Sequence, residues 1–185
     1  MNKNIVICLD GTWNKPDEPD ASISRETNVR SLYEICIDDN ERDQIAYYDR
    51  GVGTNWFDKK LGGLHGWGLS ENVREAYSYL SDNYEEGDKV FLFGFSRGAY
   101  TARSLAGLLF RCGLLPKSQN TTSRINELYD AYKDKDIRRM ESYKSSNSRC
   151  PIALLGVWDT VGALGIPAFF LRRSASVSLA STIQS

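Results

Sequence analysis

Gly94, Ser96 and Gly98 have the spacing most suited to chemistry, in the run Gly94-Phe95-Ser96-Arg97-Gly98. Four apolar residues, Val90 to Phe93, precede it. Ala99, Ala102, Leu105, Ala106, Leu108 and Leu109 follow it and give a helix that is apolar on most sides. A serine between a buried strand and a buried helix sits on a tight, strained turn that lifts its hydroxyl clear of the sheet edge. The flanking glycines let strand and helix pass without a clash, and the start of the helix aims N–H groups at developing negative charge. This context marks Ser96 as a nucleophile and Gly94 and Gly98 as its elbow. Without that context the same five residues would be a plain Gly-rich turn.

Three other groups are expected on the same rim. Asp159 follows the next apolar run, Ile152 to Val157, and an acid after a later strand is the group that orients a catalytic histidine. Its alternative is a cap on the turn through Thr160 and Gly162. Asp10-Gly11-Thr12 ends the first apolar run, so Asp10 is a rim candidate. The backbone N–H groups at Gly11 and Thr12 would give half of an oxyanion hole and that of Arg97 the other half. A plain tight turn explains the same three residues. His65 is the sole imidazole. It precedes a helix that returns the chain to the serine strand, but it also precedes Ser96, against the usual chain order, and loop histidines commonly only fill a turn. With one histidine a His-rich metal site is impossible, and no metal or cofactor is expected.

The elements that must position these groups alternate. Residues 5–9 form a strand buried on both faces. Thr27 or Asn28 caps a helix bearing Val29, Leu32, Tyr33 and Cys36. A second strand spans 44–49, and a Gly-rich loop 51–68. Ser70 caps a helix with Val73, Ala76, Tyr77 and Leu80 on its inner stripe. After the serine strand and its helix, Gly113 is the C-cap and Pro116 the stop. Residues 121–145 read as an exposed, charged helical segment with a Tyr/Leu/Ile stripe, and residues 152–157 as a fourth buried strand. Strand–helix alternation predicts an α/β fold with a mostly parallel sheet flanked by helices.

Composition narrows the function. The 23 Lys+Arg against 24 Asp+Glu leave a net charge of −1, with no basic excess to hold nucleic acid. No apolar run reaches the ~18–20 residues needed to span a bilayer, and the start of the chain has no signal-peptide pattern. Four scattered cysteines, Cys8, Cys36, Cys112 and Cys150, read as reduced thiols of a cytoplasmic protein.

Leu9-Asp10-Gly11-Thr12-Trp13-Asn14, Glu26-Thr27-Asn28-Val29-Arg30, Tyr48-x-x-Gly51-Val52-Gly53-Thr54, Gly66-Trp67-Gly68-Leu69-Ser70-Glu71-Asn72, the run from Gly94 to Arg103 and Gly156-Val157-Trp158-Asp159-Thr160-Val161-Gly162 occur in that order. Together they resemble the α/β-hydrolase domain of type VI secretion phospholipase effectors. The resemblance spans roughly residues 5–167. It implies a serine esterase acting on phospholipid or another acyl ester, with Ser96 as nucleophile and Asp159 as triad acid. It further implies peripheral membrane contact through the substrate, a secretion-apparatus or immunity partner, and export without a signal peptide from the cytoplasm of the producing cell. Members of that family carry the triad histidine downstream. Residues 168–185 form a Ser-rich tail that does not resemble the family. The expected organisation is therefore a partial catalytic domain, 1–167, incomplete at its C-terminus, followed by an atypical tail, 168–185. The alternative is an inactive truncated fragment or binding module. A third reading rests on the D-x-D-G-T start of the haloacid-dehalogenase phosphatases, to which Cys8-Leu9-Asp10-Gly11-Thr12 is similar. Cys8 stands where their nucleophilic aspartate would be, and that mechanism fails without the carboxylate and its Mg²⁺ ligand.

Overall fold

The computed structural model describes residues 2–11, 27–38, 43–51 and 67–158. The first apolar run is strand β1 (Asn4–Leu9). Ile5, Ile7 and Leu9 pack on one face and Val6 and Cys8 on the other, all of them buried. A strand apolar on both faces belongs inside a parallel sheet. β2 (Gln44–Asp49) flanks it on one side and β3 (Lys89–Phe95) on the other, both parallel to it. β4 (Ile152–Trp158) adds in parallel to β3, giving the order β2-β1-β3-β4.

Helices lie on both faces. On one, α1 (Asn28–Asp38) buries Val29 against Val6 and Cys8. Thr27 is its N-cap, the Oγ1 accepting from the Arg30 N–H at 3.0 Å. On the other face lie α2 (Trp67–Asn83) and α3 (Arg97–Cys112). Val73, Tyr77 and Leu80 of α2 and Ala102, Leu105 and Leu108 of α3 pack on Ile5, Ile7, Leu9, Val90 and Leu92. Burying one such aliphatic side chain contributes roughly 1.5–3 kcal/mol. α4 (Thr122–Lys133) and α5 (Ile137–Ser146) form an outer layer on α3.

Four local expectations need correcting. Only one face of α3 is buried: Arg103, Phe110 and Arg111 are exposed. The segment 121–145 is exposed on one side only: its apolar stripe enters the core through Ile125 and Leu128, joined by Ala131 and Met140. Ser70 does not cap α2, which begins at Trp67; its Oγ instead accepts from the Tyr129 hydroxyl at 3.0 Å. β4 is not a buried strand. Leu154 and Leu155 are 44% and 41% exposed, since among the described residues β4 pairs on its β3 side only.

The winding of the chain sets where a site can form. From β1 the chain passes through α1 to β2, then through α2 to β3 on the far side of β1. The direction of winding reverses between β1 and β3. In an open α/β sheet such a reversal opens a crevice beyond the C-terminal ends of the two strands. β1 leads there into Asp10 and β3 into Ser96.

Candidate active site

Ser96 occupies the single-residue turn between β3 and α3, with φ 53° and ψ −115°. Besides Lys135 it is the one non-glycine residue with positive φ among those described. Left-handed backbone at a residue with a Cβ costs of order 1–3 kcal/mol and persists where the surroundings impose it. The surroundings here are β1, β4 and the helix. The Ser96 N–H donates to the Trp158 carbonyl at 3.0 Å, and the Ser96 carbonyl accepts from the Ala99 N–H at 3.1 Å. The two elbow glycines are required by close approach. A Cβ on Gly94 would lie 2.5 Å from the Gly98 carbonyl oxygen, and one on Gly98 would run into the Leu9 carbonyl.

Gly11 adjoins the serine. A Cβ built on it would lie 3.2 Å from Ser96 Cβ and 3.0 Å from the Phe95 ring. Its N–H is not left to an oxyanion, however, because it donates to Asp10 Oδ1 at 2.7 Å. Gly11 thus brings the β1 turn against Ser96 by lacking a side chain, which corrects its expected role as an N–H donor. Arg97, the other expected donor, supplies the first backbone N–H of α3. Burial lowers the pKa of its guanidinium from the usual arginine value.

Asp10 is 1% exposed. Its Oδ2 accepts from the Thr27 hydroxyl at 2.6 Å and the Tyr48 hydroxyl at 2.8 Å. Burial raises the Tyr48 phenol above its ordinary pKa, and the hydrogen bond to Asp10 raises it further. The Arg30 guanidinium carbon lies 4.9 Å from the Tyr48 ring centroid, and the Tyr33 ring is 5.1 Å away. Beside this cluster, Asp49 accepts from the Gly51 N–H at 2.8 Å and from the Asn72 carboxamide. Burial, the largest cause, raises the Asp49 carboxyl pKa; Gly51 and Asn72 oppose the shift and Asp10 adds to it.

Sequence reasoning misses this double cluster as a unit. Its members Asp10, Thr27, Arg30, Tyr48, Gly51 and Asn72 all lie in the separate runs that carry the family resemblance. That co-occurrence is the signal that could have found it.

Cys8 is fully buried, and burial pushes its thiol up to about 12, with Cys36 and Asp10 adding to the rise. It offers neither a carboxylate nor an ionised sulfur in place of a phosphatase nucleophile. No cluster of His, Cys, Asp and Glu suited to a metal ion occurs among the described residues. No described helix is long and apolar enough to cross a membrane. A cavity of about 730 Å³ lined by Phe110, Lys144, Cys150 and Ile152 lies at the start of β4, the opposite edge of the sheet from Ser96. Thr12, His65 and Asp159 fall outside the described residues. The register nevertheless carries β4 to the site, pairing Phe95, before Ser96, with Trp158, before Asp159.

The family model for the type VI secretion phospholipase effector Tle1-like catalytic domain matches residues 3–184. The chain belongs to this family. The Tle1-like match runs through the sheet, the serine turn and the Asp10 cluster. A curated relative, the uncharacterized protein YEL023C of Saccharomyces cerevisiae, is 30% identical over 89% of this chain. The chain spans 27% of that relative's length. No solved structure matches it.

Proposed function

We propose that the chain carries the acyl-ester hydrolase site of a lipase or phospholipase, with Ser96 as nucleophile. The observation that carries this is the strained left-handed backbone at Ser96, imposed at the C-terminal end of β3 where the sheet's winding reverses. Membership in the Tle1-like family supports a lipid ester as substrate, met at a membrane surface.

In this reading Ser96 Oγ gives its proton to an imidazole and attacks the ester carbonyl carbon. The carbonyl π pair moves onto oxygen, where the Arg97 and Thr12 N–H groups receive it. The intermediate collapses, the C–O bond breaks, and the imidazolium protonates the departing alcohol. Water repeats the sequence on the acyl-serine. Asp159 orients the imidazole and stabilises its cation. The family resemblance implies that this imidazole follows the serine and the aspartate in chain order, and His65 precedes the serine.

The test is active-site labelling of the chain with a fluorophosphonate in buffer containing imidazole, which supplies the base from solution. Ser96→Ala is expected to abolish labelling, and His65→Ala to leave it unchanged. Labelling that survives Ser96→Ala would refute the nucleophile. Labelling that needs no added imidazole and is lost on His65→Ala would make His65 the base.

A further inference from the structure

The carboxylate of Asp10 has no part in the hydrolysis steps, yet it is fully buried and engaged by three donors from three parts of the chain. We infer that Asp10 is a positioning residue: it holds the Gly11 turn in register against Ser96 and so fixes how the serine is presented for attack. The inference rests on the nucleophile reading of Ser96 and deepens it.

Each bond has its own consequence. Oδ1 takes the Gly11 N–H at 2.7 Å and so bends the chain immediately after β1. Oδ2 takes the Thr27 hydroxyl, and the same hydroxyl oxygen caps α1 through the Arg30 N–H. Oδ2 also takes the phenol of Tyr48 from the neighbouring strand. The turn is thereby braced by a helix start and by β2.

From the other side the backbone is hemmed in. Cβ atoms built on Gly51 and Gly98 would lie 2.9 and 2.7 Å from the Asp10 carbonyl oxygen. Backbone enclosed this closely has few alternative positions, and Gly11 keeps its approach to Ser96 only while the carboxylate holds the turn. A carboxylate suits the task because it accepts only and has lone pairs for three donors. A carboxamide turns an NH₂ toward donors and leaves at least one of them unmatched. Misplacement of site groups by about 1 Å costs on the order of 10²-fold in rate, which is the scale expected here.

The experiment measures kinact and KI for fluorophosphonate labelling of Ser96 in the full 185-residue chain, with imidazole in the buffer as the base. Asp10→Asn is expected to lower kinact by on the order of 10²-fold with KI unchanged, because the defect concerns the transition state and not probe binding. Tyr48→Phe removes one donor with little change in volume. It is expected to lower kinact about 10-fold, and it carries the test should Asp10→Asn not fold. Thr27→Val is expected to slow labelling, and Thr27→Ser, which restores the hydroxyl, to recover it. Leu128→Ala, on the core-facing side of α4, is the control: it lowers Tm and leaves kinact of the folded fraction unchanged. The proposal is overturned if Asp10→Asn and Tyr48→Phe label as fast as that control, or if KI rises while kinact holds. Failure of the unaltered chain to label at Ser96 is a separate outcome. It overturns the nucleophile reading, and this proposal falls with it.

Discussion

The backbone N–H of Ser96 donates to the carbonyl oxygen of Trp158 at 3.0 Å, extending the β3–β4 ladder one step past the end of β3. The bond fixes the turn against β4 while α3 draws the chain away, so the left-handed φ of 53° is held from both sides. It also sets the serine beside the strand end that leads into Asp159.

If that backbone is strained, relieving the strain should stabilise the fold. Ser96→Gly is expected to gain about 1 kcal/mol net of the greater freedom of the unfolded chain. For a chain of this size that is a Tm rise of about 2–4 °C by calorimetry. Ser96→Ala keeps a Cβ at the same φ and is expected to show no such gain, although both variants lose the hydroxyl. Equal melting of the two variants would show that the turn carries no strain.

Gly98→Ala should be among the most damaging changes to a small residue. The new Cβ meets the backbone carbonyl of Leu9, in a strand paired on both sides, so neither partner can yield. A loss of about 3 kcal/mol or more is expected, read as a lower urea midpoint or loss of soluble protein. Gly107→Ala on the same helix meets only the tip of the Tyr132 side chain and should cost less.

Much of this fold is legible locally. β1 announces itself by five successive apolar residues, α1 by Thr27, and the serine turn by its glycines and neighbours, since strand, cap and turn rules act within a few residues. The edge position of β4 is not legible, because Leu154 and Leu155 make the same apolar pattern whether or not a neighbour covers them. Ser70 misleads because a serine before an apolar stripe resembles a cap, while the helix starts a turn earlier and the hydroxyl serves Tyr129 instead. The Asp10 cluster joins residues 17 and 38 positions apart. Pairings at that range are decided by the fold and leave no spacing rule in the sequence.

Acid should reveal the clamp between Lys3 and Asp88. Burial acts to raise the Asp88 carboxyl pKa, but it is outweighed by the Lys3 side chain at 2.6 Å, the Lys3 N–H and the Glu85 N–H, and the net shift is downward. A carboxyl lowered in the folded state binds fewer protons there than in the unfolded state. Its contribution is therefore complete above the unfolded pKa of about 3.9 and is lost as pH falls through the folded value. Urea midpoints measured from about pH 6 to 2 should fall less steeply below pH ~4 for Asp88→Asn than for the parent chain. Identical slopes would remove Asp88 from the acid response.

The cysteines should separate kinetically. Burial pushes the Cys8 and Cys150 thiols up to about 12 and that of Cys112 up to about 11, so almost none of the three is thiolate at about pH 8. Cys36, on α1, is only partly buried. One equivalent is expected to react rapidly with a disulfide reagent, Cys36→Ala is expected to remove it, and the others to react only at the rate of unfolding. Two or more fast equivalents would show that the sheet opens readily.

The central place of β1 also bears on how the protein is made. Its second pairing partner, β3, begins about 80 residues after β1 ends, with β2 the only partner available sooner. At ribosomal rates of about 5–20 residues per second, β1 emerges roughly 4–16 s before β3 exists. For that interval residues 5–9, the most apolar strand of the sheet, have one edge unpaired, and the face that α2 and α3 cover waits for α2 until late in it and for α3 until after β3. Yield during synthesis then depends on whatever shields those five residues until the other half of the sheet arrives.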